Sequence, residues 1–546
     1  MWEKANENGS LADRLKRVGA AVEKKADRLL LLLCIIIFGG LTFYSLRYTE
    51  ILHEDTEIPW TIVDNAGKNL LALLLVLVVI LLLGRFLTSR VLPEGKASTE
   101  RRIRILVGVT ATYVVAVCIG WVSVCHVRAH ADGEYLCTSA LLIMAENYNP
   151  MLPPGYMNYY PHQYSMLAVI QILFSLFGVF NYQSFQYMNA LCMPLLFYSG
   201  YKILRLICKR TEVVVYYILL FVSYVPLFLY VAYVYGEITS ITFAMVFMWQ
   251  TIRYCKTGRK SCYLWGTLAI VLACMMRMNS VIILVAAGIV LACHAFRSLK
   301  PQAIVWFVVM LFMIFAVNRS IQAYYEKISG NEIPEGIPYV SWVLMGLQDG
   351  PYGPGWYDGT NYVEFQRHDY DAERTALDNR EKVMLRLEEL WNDKGYGIDF
   401  FRRKILTQWN APACHSYFET KVFTCEPEEL PEIVHRIYYE DAAAINNFLD
   451  RYQFVLYFYV TAEVILLFMG KRKERRLEDR ILLISIIGGF LFHIIWEVMG
   501  RYALPYVVFM IPMAAMGMGQ MRELLNIAIS GLVSLGSRLK CSERKP

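Results

Sequence analysis

The chain of 546 residues is 56% hydrophobic and only 18% charged, with a mean hydropathy of +0.38, which excludes an ordinary soluble globular protein and indicates a polytopic membrane protein. Its net charge of +6 arises from short basic runs between apolar stretches, a topology signal that calls for no nucleic-acid partner. No Gly-rich phosphate loop follows a strand and no Cys/His cluster has zinc-site spacing, so neither a nucleotide cofactor nor a structural zinc is implied.

In chain order, apolar runs near bilayer length recur, and they are expected to be helical because an unpaired backbone cannot face lipid. The fold class is therefore an all-α helical bundle. Leu29–Leu41 follows a basic segment and precedes Thr42-Phe43-Tyr44 rather than a small-residue cleavage site, so the first span is expected to stay as an anchor. Twelve spans, at about 28–48, 68–89, 104–125, 184–207, 213–232, 237–254, 262–276, 279–296, 302–320, 453–470, 480–497 and 502–520, satisfy the positive-inside rule. They place Arg14–Lys25, Arg85–Arg104, Lys202–Arg210, Arg253–Lys260, Arg297–Lys300, Lys471–Arg476 and Lys540–Lys545 in the cytoplasm, with both chain ends inside. Gln163–Phe180 is apolar too, yet counting it as a span would export Lys209 and Arg210. It reads as an outer-face juxtamembrane or re-entrant helix punctuated by Pro161 and Gly178.

Four regions follow. Residues 1–103 hold two spans and basic segments without evident chemistry; residues 104–320 form a membrane core with a long first outer loop; residues 321–451 are polar and form an extracytoplasmic segment or cap; residues 452–546 supply the last spans and a tail. In the polar segment, Gly350-Pro351-Tyr352-Gly353-Pro354-Gly355 is loop chemistry and Arg374–Trp391 an amphipathic helix. Asp369-Tyr370-Asp371 resembles an acid-x-acid metal motif but lacks a nucleotide fold around it, and Asp371 suits a helix cap. Phe400-Phe401-Arg402-Arg403-Lys404 and Trp409 are expected to meet the membrane surface, with lipid headgroups or substrate opposite the cations. Cys414 and Cys425 share this segment and are either a disulfide or two free thiols.

The most informative residue is Asp132, in His130-Ala131-Asp132-Gly133-Glu134-Tyr135, an acid just past a span at the lipid–water boundary. Glu134 follows two residues on, and in an extended loop both would point the same way. Further on stand Asn158-Tyr159-Tyr160-Pro161, an apolar helix ending Leu176-Phe177-Gly178, then Tyr235-Gly236-Glu237, and finally Trp496-Glu497 with Arg501-Tyr502 and Pro505. In these features the chain resembles the GT-C superfamily of integral-membrane glycosyltransferases, of the bacterial protein mannosyltransferase and aminoarabinose transferase type. Residues 105–320 match the pattern well and 480–515 moderately, while the first hundred residues depart from it by adding two spans.

The resemblance implies an inverting transferase in the cell membrane, active on the extracytoplasmic face. Its donor would be a polyprenyl-phosphate sugar, its acceptor a cell-envelope glycan or lipid-linked sugar, and its surroundings membrane lipids. It implies that Asp132, with Glu134 as the alternative, is the base or a metal-associated carboxylate. It admits a divalent metal, Mg²⁺ or Mn²⁺, and no nucleotide cofactor. Arg277, interrupting Met275-Met276-Arg277-Met278-Asn279, is either a donor-phosphate ligand or a snorkelling cation. Arg501 is a second phosphate ligand, a partner of Glu497 at i and i+4 on a helix, or both. Glu237 is a second carboxylate or metal ligand, or a solvated loop acid. His130 and His162 are substrate contacts or plain polar residues, and Tyr160 belongs to the same mouth. Trp342, Tyr352, Trp356 and Tyr357 either stack on sugar rings or sit in an interfacial belt. Two rival classes remain at this level: a transporter or flippase of lipid-linked saccharides, and a noncatalytic glycan-assembly subunit.

Overall fold

The computed structural model describes residues 11–52, 58–93, 97–470 and 476–542. Residues 471–475 and 543–546, parts of the basic runs that orient the C-terminal spans, lie outside the described residues, as do 94–96. Helix α1 (Leu11–Arg47) leads through a hairpin of β1 (Tyr48–Leu52) and β2 (Pro59–Val63) to α2 (Ala66–Phe86) and α3 (Ala97–Cys125). Then come α4 (Asp132–Met144), α5 (Tyr156–Tyr159) and α6 (Tyr164–Phe177). The bundle continues with α7 (Tyr182–Ile207), α8 (Glu212–Ser223), α9 (Val225–Leu229), α10 (Glu237–Thr257), α11 (Ser261–Met276), α12 (Val281–Ser298) and α13 (Gln302–Ser329). The polar segment folds as α14 (Tyr339–Leu347), α15 (Thr360–Arg367), α16 (Ala372–Asn392), α17 (Lys394–Trp409), α18 (Ser416–Thr420) and α19 (Glu432–His435). Finally α20 (Ala442–Met469), α21 (Ile481–Ile495) and α22 (Leu504–Ser542) close the bundle.

This is an all-α membrane protein. Among the described residues, eight helices are long and apolar enough to cross a bilayer, and a ninth crossing is formed if the pair Glu212–Ser223 and Val225–Ala232, bent by 59°, counts as one span. Seven large apolar residues of α2, from Leu70 to Leu82, are exposed, and α13 exposes Val305, Val308, Phe312 and Phe315. Such stripes suit lipid, not water. Helix α10 is more polar for a different reason: it is enclosed by α7 and α11, its principal neighbours, and buries Glu237, Thr239, Ser240, Thr242, Gln250 and Thr251. Helices α11 and α21 have 16 and 15 residues, about 24 and 22 Å at 1.5 Å per residue.

The break at Tyr224 between α8 and α9 is where Pro226 enters. A proline starts a helix well but cannot donate into the preceding turn. Helix α6 is 14 residues long and packs on the second half of α13, where Ser165 bonds Asn318 at 2.6 Å and Tyr325 bonds Gln171 at 2.7 Å. Asp371 caps α16, accepting from the Arg374 amide at 3.0 Å.

Trp409 and Lys404 depart from the sequence reading. Trp409 is buried against Phe490 and Tyr506, Arg402 and Arg403 pair with Asp399 at 2.6 and 2.8 Å, and Lys404 is buried. Lys404 and Trp409 therefore pack inward, while Arg402 and Arg403 stay partly exposed beside Asp399. Cys414 and Cys425 are both free thiols, with Cys414 Sγ 3.2 Å from the Tyr224 hydroxyl.

Candidate active site

Charged residues gather at both ends of the core helices. At one end, Arg297 joins Glu23 and Glu478 at 2.8 and 2.9 Å, Arg480 joins Asp27 at 3.0 Å, and Lys256 joins Asp479 at 2.6 Å. At the other end lies a cavity of about 420 Å³ whose walls carry Asp132, Arg277, Glu419, Glu497 and Arg501.

The chain builds that end from irregular backbone. Residues 230–236, between α9 and α10, leave carbonyls that no helix satisfies, and α7 supplies the missing donors. Gln186 donates to the carbonyls of Val127 and Ala232, both at 2.8 Å, and Asn189 to those of Val231 and Tyr233 at 3.2 and 3.1 Å. Two glycines then let three backbones meet. A Cβ at Gly133 would overlap the Val234 carbonyl oxygen, and one at Gly236 would overlap that of Met276. These close approaches bring the start of α4, the start of α10 and the end of α11 together, and with them Asp132, Glu237 and Arg277.

Arg501 stands between the acids. Its Nη1 donates to the Tyr233 hydroxyl at 2.5 Å and to Glu419 at 3.1 Å, Nε lies 3.7 Å from Glu237, and Nη2 lies 3.8 Å from Asp132. Arg277 lies 3.3 Å from Glu237 and over the Tyr235 ring at 4.7 Å. Glu237, 4% exposed, is thus held between two guanidiniums. Asp132 differs from it: its side chain is 39% exposed to the cavity, with Oδ1 accepting from Tyr156 at 3.1 Å.

Helix α21 ends at Ile495, so Glu497 lies in the connecting loop, with its carboxylate oxygen accepting from Tyr502 at 2.9 Å. Burial pushes the Glu497 carboxyl up to about 7, against the lowering effect of Tyr502 and Arg501. Lys404, which donates to the carbonyls of Gly346 and Trp496, is pushed down to about 7 by burial. His162 is lowered to about 4 by burial and by Arg277, leaving it neutral.

Most sequence candidates meet here: Asp132, Tyr160, His162, Arg277, Trp356 and Arg501 line the cavity, as do Trp342 and Tyr357, and Glu237 lies directly beneath. Others do not. Asp132 and Glu134 belong to a helix, where positions i and i+2 face nearly opposite ways; Glu134 is solvent-exposed and absent from the cavity wall. The expected Glu497–Arg501 helical pair is replaced, because 496–499 is loop and Gly500–Ala503 a 3₁₀ turn. Glu237 is no solvated loop acid, and Arg277 faces the cavity, not lipid. His130 packs edge-on against Phe418 outside the wall, and Tyr352 lies outside it too. The cavity residues not foreseen are Glu419, Tyr156 and Asn361.

A divalent ion does not fit the central acids. Asp132, Glu237 and Glu419 surround a guanidinium and do not converge on a common point. Among the described residues, the one convergent trio is Glu364, His368 and Asp378 in the polar segment, and Lys382 already neutralises its two acids at 2.6 and 2.8 Å.

Residues 23–521 match a family described as conserved hypothetical integral membrane protein. The chain belongs to that family. Neither curated proteins nor solved structures gave a match to the chain.

Proposed function

We propose that this family member is an inverting, GT-C-like glycosyltransferase of the cell membrane. It moves a sugar from a polyprenyl-phosphate donor to a cell-envelope glycan or lipid-linked acceptor on the extracytoplasmic face. In this reading the core has twelve crossings with both ends in the cytoplasm, and residues 321–451 cap the outer end. The observation that carries it is Asp132: a solvent-reachable carboxylate at an aromatic-walled cavity that also holds Arg277 and Arg501.

The chemistry follows from that arrangement. The acceptor oxygen attacks the anomeric carbon as the bond to the phosphate oxygen breaks, and that electron pair leaves with the phosphate. The acceptor proton passes to Asp132, and single displacement inverts the centre. Guanidiniums aimed at the phosphate stabilise the charge that develops there. Aromatic faces such as the Trp342–Trp496 stack, with centroids 6.0 Å apart, offer an apolar surface to a sugar or an isoprenoid. The transporter alternative leads one to expect paired broken helices in related halves, and one bent pair is present among the described residues.

The test is sugar transfer from a panel of polyprenyl-phosphate sugars by membranes containing the protein. Asp132→Asn keeps size and hydrogen bonding but removes the base, so turnover should fall by about 10²-fold or more. Glu134→Gln should stay near wild type, since Glu134 lies outside the cavity wall. Full transfer by Asp132→Asn would sink the assignment, and full transfer by both variants would return the protein to the transport or assembly classes.

A further inference from the structure

Four carboxyls, Asp132, Glu237, Glu419 and Glu497, face two guanidiniums, Arg277 and Arg501, around this cavity. Were all four ionised, four negative charges would face two positive ones, and a proton kept on one carboxyl lowers that excess by one charge and weakens the repulsion of a phosphodiester. Two of them, Glu237 and Glu419, are spent on the guanidiniums, and Asp132 must be ionised to take a proton. That leaves Glu497.

We propose that Glu497 is a second catalytic carboxyl, which stays protonated and donates a hydrogen bond to the donor-phosphate oxygen that takes up the electron pair. This rests on the transferase reading. Glu497 is 7% exposed and lines the same cavity as Asp132 and Arg277. One of its oxygens is engaged by Tyr502 at 2.9 Å, and a protonated carboxyl has a donor left for the cavity. The proton remains on Glu497 throughout, and the acceptor proton goes to Asp132 as before.

The surroundings set when this donor exists. Arg277, Arg501 and Tyr502 favour ionisation, Asp132 opposes it, and burial outweighs them to place the titration at about 7. Tyr160 and Tyr357 face Glu497 as neutral phenols. His493 meets its backbone oxygen at 3.0 Å, and Lys404 approaches through the Trp496 carbonyl at 2.8 Å. The sign follows: the protonated form prevails below about pH 7, is half populated there and is lost above it, so transfer should decline on the alkaline side.

The experiment measures kcat and kcat/KM between about pH 5.5 and 9 for wild type, Glu497→Gln and Glu497→Ala with a polyprenyl-phosphate sugar. Glutamine keeps a neutral donor, so Glu497→Gln should hold turnover within about threefold below pH 7 and lose the alkaline limb. Glu497→Ala should lose about 10²-fold, the usual effect of removing one donor to a developing anion. Infrared difference spectra across the same pH range should show a protonated carboxyl that titrates near 7 in wild type and is missing from Glu497→Gln. An alkaline limb that survives in Glu497→Gln, full activity in Glu497→Ala, or loss of activity in Glu497→Gln at every pH with the protein still folded would each overturn the proposal. Wild type inactive with every donor would instead overturn the transferase reading itself, and this role with it.

Discussion

Arg277 and Arg501 are both cavity cations, but their surroundings give them different work. Arg501 is enclosed by Tyr233, Glu419, Glu237 and Asp132, so much of its donor capacity is used within the protein. Arg277 has one carboxylate partner, Glu237, and otherwise lies against the rings of Tyr235 and Tyr502 at 4.7 and 5.9 Å. A phosphate therefore finds more unused donors on Arg277. Arg277→Ala should raise the donor KM by an amount equivalent to about 1.5–3 kcal/mol, one charge-assisted hydrogen bond, with thermal unfolding in detergent little changed. Arg501→Ala should instead destabilise the fold by about 3–5 kcal/mol, because it strands buried acids without their cation. Equal losses of thermal stability in the two variants would contradict this division of roles. The sequence singled out Arg277, Arg501, Glu237 and Asp132 because a charge at the end of an apolar run is expensive and therefore conspicuous. Glu419 gave no such contrast, lying in a polar segment already rich in acids.

At the scale of elements, what the sequence left open was the backbone state of short connections. Asp132 and Glu134 share a face in an extended loop and separate in a helix, and the helix forms; Glu497 and Arg501 pair on a helix, and loop followed by 3₁₀ forms. Long apolar helices were legible because their period and length need no tertiary information. The junction at Gly133 and Gly236 depends wholly on tertiary contact, since each glycine matters through a carbonyl from a distant segment. Gly133→Ala or Gly236→Ala forces backbones apart, and each should cost about 1–3 kcal/mol, the usual range for overpacking. Because the displaced backbones carry Asp132 and Arg277, turnover should fall further than the loss of stability explains. Differential scanning fluorimetry beside transfer kinetics checks this. A variant that keeps wild-type kinetics despite a lowered Tm would show that the junction is structural and does not set the geometry of the site.

At the scale of the molecule, α10, α12 and α21 each run between the two charged ends, with Glu237 and Lys256 at opposite ends of α10 and Glu497 and Arg480 beyond opposite ends of α21. The ion-paired end joins α1 to the core through Glu23 and Asp27, which gives the N-terminal helix a structural attachment. The proposed topology puts that end in the cytoplasm by the positive-inside rule, since it carries Lys202–Arg210, Arg253–Lys260 and Arg297–Lys300. On the proposed topology the cavity and the polar segment would then face outward. Chemical labelling can decide this without stripping all 13 cysteines, since buried thiols are inert. Among the described cysteines only Cys208, Cys293 and Cys425 are partly exposed. With these three and Cys541 replaced by Ser, Glu373→Cys and Lys209→Cys each add an exposed thiol, one in α16 of the polar segment and one between α7 and α8. A membrane-impermeant maleimide added to intact cells should label Glu373→Cys and leave Lys209→Cys untouched until the membrane is permeabilised. Labelling of Lys209→Cys alone would invert the topology and place the cavity in the cytoplasm, and labelling of both from outside would mean that the number of crossings between α7 and the polar segment has the wrong parity.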